Sequence, residues 1–531
     1  MRLAFREPAA GLLIALAFLF VSLMILNDYG QTWDEQETYA AAFRNVDIVA
    51  AVAAGQPAPP WTFHELPGYY FVFDLLRGGF AWIASKRLHL LDEVRAFHLT
   101  HVLISTLSVF LFYLVARRVS GRERIAVLST VVLVLMPQFL AQAQNNPKDL
   151  PGLFVYVLAI YTFTRQDATS RFHDVLLAGL ALGLALTTTV AAVLLIPLLA
   201  TWQLLVRHFL KWQSYVTIVV VAAVAAFLFW PWLWQSPIAN AAWALSHIAT
   251  FKGTPLKVLY LGRLYDSLAV PWHYSLVNFI TTTPVPYLLL AAASVPSVLS
   301  RIGRGKANPA NIARLGWLWF AVPLVSEIGA PAKYNAVRHL LMIVPGFCLC
   351  VGVGLNWILE RLERTQFVSR SPRLGMLIAP GCAVVLFGFI GLELIEMHPY
   401  HNAYRNEAVN AWIPHDTQNI FEVEYWGQTY KEGAEWLNAH TGPDAQIYAG
   451  MPEPCANRYL DGKANTLTEK ALSLFEDPTR PAYLMVMARK AIYTPAIERI
   501  VGNYDPVFTI RRQKAVLLNI YSNRPRVART Q

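Results

Sequence analysis

Cysteine and charge are both scarce in this sequence, and each scarcity removes a class of protein. Only four cysteines occur in 531 residues. Cys348, Cys350 and Cys382 lie in apolar runs and Cys455 stands alone in the polar C-terminal part, so neither a disulfide framework nor a paired CxxC metal site follows. Charged residues are 15% of the chain against 55% hydrophobic, a balance outside the range of soluble globular domains. The excess of 44 Lys+Arg over 34 Asp+Glu then concerns membrane orientation, and nucleic acid is set aside as a partner. No small-residue cleavage site follows the run Gly11 to Leu26 behind Arg2 and Arg6, so the N-terminus reads as a retained signal anchor. Low-complexity segments and short-period repeats are also missing.

What is present is a series of apolar runs near the ~20 residues that a membrane-crossing helix needs. They fall near 9–26, 98–116, 125–142, 151–165, 173–188, 190–206, 214–231, 272–298, 312–328, 337–357 and 374–396. The expected fold is therefore a mainly α polytopic membrane protein of about eleven transmembrane helices. With the N-terminus inside, the inner loops carry Arg117, Arg118, Arg122 and Arg124, then Arg165 and Arg171, Arg207 and Lys211, Arg301, Arg304, Lys306 and Arg314, and Arg361, Arg364, Arg370 and Arg373. The short outer loops are poorer in cations, which predicts a cytoplasmic N-terminus and an outer C-terminus.

Three outer segments are longer than connectors. Residues 27–95 hold two stretches of helical period: one with Tyr39, Phe43, Val46 and Ala50 on a single face, the other running from Tyr69 to Ile83 and interrupted by Asp74 and Arg77. Residues 232–271 are rich in Trp, Pro and Lys. Residues 398–531 have ordinary soluble composition, with helical signals at Thr429 to His440 and Ala496 to Gly502. Strand-like runs fall at Gln446 to Ala449, Tyr483 to Met487, Val507 to Arg511 and Ala515 to Tyr521. The chain thus divides into a membrane part, 1–397, and an extracytoplasmic soluble α/β domain, 398–531.

On this topology Asp34, Glu35, His64, Glu65, Asn145, Asn146, Lys148, Asp149, Lys333, Tyr334, Arg338 and His339 gather at the outer ends of the spans. Several have structural readings. Thr32 and Glu35 make a capping box, Asn146, Pro147 and Asp149 suit a helix start, and Lys333 and Arg338 could anchor span ends to headgroups. Together they have a chemical logic. Carboxylates can take the proton of an acceptor hydroxyl, and cations can hold a departing phosphate.

Several motifs carry a family resemblance. Trp33-Asp34-Glu35 follows the first span, Asn146-Pro147-Lys148-Asp149-Leu150-Pro151 enters the fourth, and Pro231-Trp232-Leu233-Trp234 ends the seventh. Tyr334-Asn335-Ala336-Val337-Arg338-His339-Leu340 precedes Pro345. Further on stand Glu396-Met397-His398-Pro399-Tyr400 and Glu422-Val423-Glu424-Tyr425-Trp426-Gly427. In order and sidedness these resemble bacterial relatives of the dolichyl-phosphate-mannose protein mannosyltransferases, which are C-type multi-spanning glycosyltransferases. The resemblance implies hexosyl or pentosyl transfer from a polyprenyl-phosphate-linked sugar to a lipid, glycan or protein acceptor, outside a bacterial plasma (inner) membrane. It makes Asp34 the base or orienting carboxylate, Glu35 its neighbour and Asp149 the second acid, with Lys148 and Arg338 facing the phosphate. His64, Asn146, Lys333, Tyr334 and His339 would line the substrate. Where many relatives carry a Lys between spans five and six, this chain has Thr189. No obligatory metal is implied, although Asp34, Glu35 and Asp149 could offer oxygen ligands to Mg or Mn.

Two other classes remain open on sequence alone. A transporter or flippase of a lipid-linked sugar should carry charges at mid-span and repeated halves, whereas Glu327 and Glu393 sit near span ends and no such repeat is visible. An envelope-assembly scaffold would use the outer domain and leave Asp34 as a helix cap.

Overall fold

The computed structural model describes residues 8–57, 66–167, 169–207, 209–300, 307–335, 338–365, 372–413 and 415–524. Arg2, Arg6, His64, Glu65, Arg301, Arg304, Lys306 and Arg370 lie outside the described residues.

All eleven apolar runs are helical, but not all as single straight spans. Glu93–Ser120, Trp212–Phe229, Arg338–Glu363 and Leu377–Met397 are long and apolar enough to cross a membrane. The run at 125–142 is bent by 62° between Glu123–Val134 and Pro137–Ala143, and the run at 272–298 by 107° between Tyr274–Thr281 and Val285–Leu299. Counting each bent pair as one span gives six among the described residues, against the eleven expected. Proline accounts for both breaks: Pro137 opens the second half of one pair and Pro284 caps the second half of the other, and neither ring leaves room for the preceding helix to continue. Ala9–Met24, Asp149–Thr164, Phe172–Leu186 and Val190–Val206 are apolar but shorter. The chain is a multi-pass membrane protein whose helices enclose one large apolar core.

Local signals explain where the helices stop. Asp92 caps Glu93–Ser120 by accepting the Arg95 N–H, and Gly121, at φ +68°, ends it. Trp33–Ala53 ends with Gly55 at φ +66°. Gly55 and Gln56 donate there to the Val52 and Ala51 carbonyls, a Schellman closure.

In the first outer segment, Trp33–Ala53 packs against Phe71–Ala81. The buried stripe is Tyr39, Ala42 and Asn45, while Ala50, expected on that face, is exposed. The stripe turns because Asn45 donates to Asp74 at 3.2 Å, and Asp74 pairs with Arg77 inside the contact. An added Cβ at Gly78 would meet the Ala42 carbonyl, so this helix pair requires a residue without a side chain there.

The C-terminal part contains a five-stranded sheet built from β3 Gln446–Ala449, β4 Ala464–Thr466, β5 Ala482–Met487, β6 Pro506–Arg512 and β7 Ala515–Ser522, in the order β4-β3-β5-β7-β6. The pairings β3 with β4 and β3 with β5 are parallel, and those of β7 with β5 and β6 are antiparallel. A separate hairpin, β1 Lys257–Tyr260 and β2 Arg263–Asp266, lies in the segment 232–271. It reaches the C-terminal part through a bridge from Tyr260 to Phe421.

The helix starts at Asp149 and Arg338 meet at one end of the bundle. At the opposite end, Arg124 pairs with Glu363 at 2.8 Å, Arg122 pairs with Glu360, and Arg118 donates to the Thr164 and Arg165 carbonyls.

The Val344–Glu363 helix packs closely on Val285–Ala293, and a Cβ at Gly354 would overlap the Leu290 carbonyl. Gly354→Ala should therefore destabilise by about 1–3 kcal/mol through overpacking, whereas Gly442→Ala, at a position with open space around it, should not. Thermal unfolding of the solubilised protein compares them, and equal midpoints would remove the close-packing explanation.

Candidate active site

The C-terminal domain holds the connector 27–35 at several points. His398 Nε2 lies 2.7 Å from Asp28 Oδ2, the Tyr29 hydroxyl 3.3 Å from His401 Nδ1, and the Gln31 N–H donates to the Tyr459 hydroxyl at 2.8 Å. Lys431 donates to the Asn27 carbonyl. A Cβ at Gly30 would strike the Gln428 carbonyl, so backbone meets backbone there.

The expected capping box is present, with Thr32 and Glu35 each serving the other's backbone N–H. Glu35 accepts the Thr32 N–H at 2.6 Å, and the Thr32 hydroxyl also donates across the fold to the Asn145 carbonyl at 3.2 Å. Trp33, whose N–H is one of the unpaired donors of a helix start, donates to the Trp426 carbonyl at 2.7 Å.

Thus anchored, Asp34 faces the entry to the Asp149–Thr164 helix. Its Oδ1 is 3.2 Å from Lys148 Nζ, and its Oδ2 is 2.6 Å from Arg338 Nη1. The Trp426 indole N–H also donates to Oδ2, at 3.2 Å. Arg338 Nε donates to Asp149 Oδ2 at 2.8 Å, so one guanidinium holds both carboxylates. Arg338 is 8% exposed, while Asp34 and Asp149 are 17% and 21% exposed. The cation therefore lies beneath and the acids face the opening. Asn146 donates to Asp149 Oδ2 at 3.0 Å and accepts the Lys148 and Asp149 N–H groups, as a cap would; the helix nevertheless begins at Asp149, with Lys148 at the cap position and Pro147 before it rather than at its first position. Burial disfavours the ionised form of Asp34, but Arg338, then Lys148, and the hydrogen bonds from Lys148 and Trp426 outweigh it. The carboxyl is held below its usual range and is ionised at neutral pH.

The other expected residues are placed differently. Glu35 is fully buried; it accepts the Tyr39 hydroxyl and lies 2.9 Å from His98 Nε2, away from Asp34. Lys333 donates to the Ala330 carbonyl at 2.8 Å and its N–H to Ser267 at 2.9 Å, which closes a turn. Tyr334 and His339, the residue after Arg338, meet edge to face at 4.9 Å. His64 falls outside the described residues. Asp34, Glu35 and Asp149 do not converge as an oxygen cage for Mg or Mn, because Arg338 stands between two of them and Glu35 points elsewhere. Among the described residues no group of three or more His, Cys, Asp or Glu side chains is arranged to hold a metal ion.

Residues of the C-terminal domain complete the group. Asn145 donates to Gln428 at 3.1 Å, and Gln428 donates to Asn402 at 2.5 Å. Buried Arg489 donates to Glu422 at 3.1 Å, to the Tyr425 carbonyl at 3.2 Å and to Asn335 at 3.3 Å. Asn335, at φ +55°, makes the turn whose carbonyl accepts the Arg338 N–H. The motif at 422–427 was readable, but nothing in the sequence places Trp426 beside a residue 392 positions earlier.

Residues 79–234 match the family model described as dolichyl-phosphate-mannose-protein mannosyltransferase. The fold is similar to that of ArnT from Cupriavidus metallidurans bound to undecaprenyl phosphate, with TM-score 0.51, 14% identity and 98% of each chain covered. The apo state of ArnT gives 0.50 and 13%, again over 98% of each chain. An oligosaccharyltransferase from Archaeoglobus fulgidus tethered with an acceptor peptide gives 0.47 and 12%, covering 98% of this chain and 74% of that one. No curated protein matches the sequence. At these identities the structural likeness establishes the fold alone, and that fold is shared with ArnT.

Glu424, buried beneath the Trp426 turn, accepts the Trp426 and Gly427 N–H groups at 2.7 and 3.0 Å. Burial lifts its carboxyl from 4.5 to about 7, against those two hydrogen bonds and Arg489. Because the folded value lies above the exposed one, folding takes up a proton. Stability from this group is full below the exposed value of 4.5, falls as pH rises through about 7, and is lost above it. Glu424→Gln keeps an accepting oxygen and should flatten that loss. Unfolding midpoints of both proteins at pH 5 and pH 8 test this; parallel shifts would show that Glu424 does not titrate in this range.

Proposed function

We propose that this protein is an integral-membrane glycosyltransferase that moves a sugar from a polyprenyl-phosphate donor to a hydroxyl acceptor at the outer face of a bacterial plasma membrane. The observation that carries the reading is the group at the helix ends, where Arg338 is shared by Asp34 and Asp149 and Lys148 closes on Asp34. The fold is that of an enzyme solved with undecaprenyl phosphate bound, which supports the donor class by analogy.

The chemistry follows from the charges. A donor phosphate brings negative charge to Arg338 and Lys148 and competes with Asp34 for both. As they turn toward it, the influence that keeps Asp34 weakly basic is reduced, and its pKa rises toward the range of a useful general base. The bond between the sugar carbon and the phosphate oxygen breaks, and its electron pair stays on the phosphate, held by Arg338 and Lys148. The acceptor oxygen bonds to the sugar carbon as its proton passes to Asp34. Asp149 keeps Arg338 aligned. The reading needs no obligatory cofactor and leaves the acceptor as a lipid, glycan or protein hydroxyl.

Purified protein in lipid, offered a panel of polyprenyl-phosphate sugars with membrane extract as acceptor, should release polyprenyl phosphate. Asp34→Asn should lower that release by about 10²–10⁴, the usual contribution of a general base, while the protein stays folded. Arg338→Ala should weaken undecaprenyl phosphate binding as well. Full activity of Asp34→Asn would end the mechanism, and no release by the parent protein from any donor would favour transport or scaffolding.

A further inference from the structure

We propose that the C-terminal domain completes the active site through Trp426, a positioning residue whose indole N–H keeps Asp34 in place while Arg338 and Lys148 turn to the donor phosphate. This rests on the reading above, in which Asp34 accepts the acceptor's proton.

Asp34 has three partners, and two of them are the cations that an incoming phosphate would engage. A carboxylate that lost both would be free to rotate about its side-chain bonds, and misplacement by about 1 Å is enough to cost a reaction on the order of 100-fold. The third partner differs in kind. The Trp426 indole is neutral, fully buried, and its one polar side-chain atom donates to Asp34 Oδ2. Trp426 is also fixed on both sides of its backbone. Its carbonyl accepts the Trp33 N–H at 2.7 Å, its own N–H donates to Glu424 at 2.7 Å, and Gly427 at φ +85° completes the turn. The donor thus belongs to a rigid loop tied to the start of the helix that carries Asp34.

The division between the two carboxylate oxygens follows. Oδ2 stays with the indole, and Oδ1, which Lys148 holds in the resting group, is released to take the proton. The Arg338 guanidinium lies 5.4 Å from the centre of the Trp426 ring, a cation–π distance, so the same side chain steadies the cation as it moves. The ionisable groups facing Asp34 are Arg338 and Lys148, with Asp149 beyond Arg338 and the Cys455 thiol on the side of the C-terminal domain.

Packing and hydrogen bonding by Trp426 can be separated. Replacing Trp426 with benzothienylalanine keeps the bicyclic shape and the contact with Arg338 but removes the N–H; Trp426→Phe serves where the isostere does not accumulate. With a polyprenyl-phosphate sugar that the parent turns over, the variant's kcat should fall about tenfold or more, as for loss of a hydrogen bond to a charged group, while donor KM changes by less than about twofold. The acid limb of the kcat–pH profile should move to higher pH, because a donor that favours the ionised carboxylate is gone. Parental kcat and an unmoved acid limb, with Asp34→Asn inactive in the same assay, would overturn the proposal and leave the reading of Asp34 intact. A lower folded yield with unchanged kcat per folded molecule would also overturn it, since packing alone would then explain Trp426. An active Asp34→Asn would overturn both.

Discussion

A single guanidinium shared by two carboxylates is the constraint on which the rest of this protein depends. Arg338 lies between Asp34 and Asp149, and its three segments, 32–35, 145–149 and 335–338, come from widely separated parts of the chain. Without the cation the two acids would face each other at the edge of an apolar core, and an uncompensated charge in such a place costs about 3–5 kcal/mol. The same interaction therefore closes the bundle at this end and assembles the candidate site. With Lys148 on the other oxygen of Asp34, the four groups balance in charge.

The C-terminal domain acts on this group as a clamp. Arg489 ties Glu422 and the Tyr425 carbonyl to Asn335, whose turn presents Arg338. The Asn145–Gln428–Asn402 amide chain ties the Asp149 loop to the short turn His401–Ala403 that follows the last apolar helix. These bonds are buried, so breaking one strands a polar group at a cost of about 1–3 kcal/mol. The domain is part of the site's framework.

Two adjacent acids have been given different tasks by helix geometry. Neighbouring residues on a helix do not share a face, so Asp34 can look toward Lys148 only if Glu35 turns inward. There Glu35 meets Tyr39, His98 and the Thr32 N–H and fixes the entry angle of the helix. The structural reading of Trp33-Asp34-Glu35 holds for Glu35, which leaves Asp34 paired with Lys148 and Arg338.

The one-dimensional features of this protein were legible in its sequence. Apolar runs mark the helices of the bundle, because burial in lipid or in a helical core demands apolar side chains wherever the chain lies, and helical period marks Trp33–Ala53 and Phe71–Ala81 in the first outer segment. Alternation and turn residues mark β3, β5, β6 and β7, though not the three-residue β4. Asp34, Asp149, Lys148 and Arg338 stand out because charge next to an apolar run is costly and calls for a partner. What only the tertiary structure decided is which charge meets which. Bends at Pro137 and Pro284, the inward turn of Glu35, the local duty of Lys333 and the arrival of Trp426 beside Asp34 all depend on distances between segments far apart in the chain. Local spacing carries no information about such pairings, which are set by how the helices and the C-terminal sheet pack together.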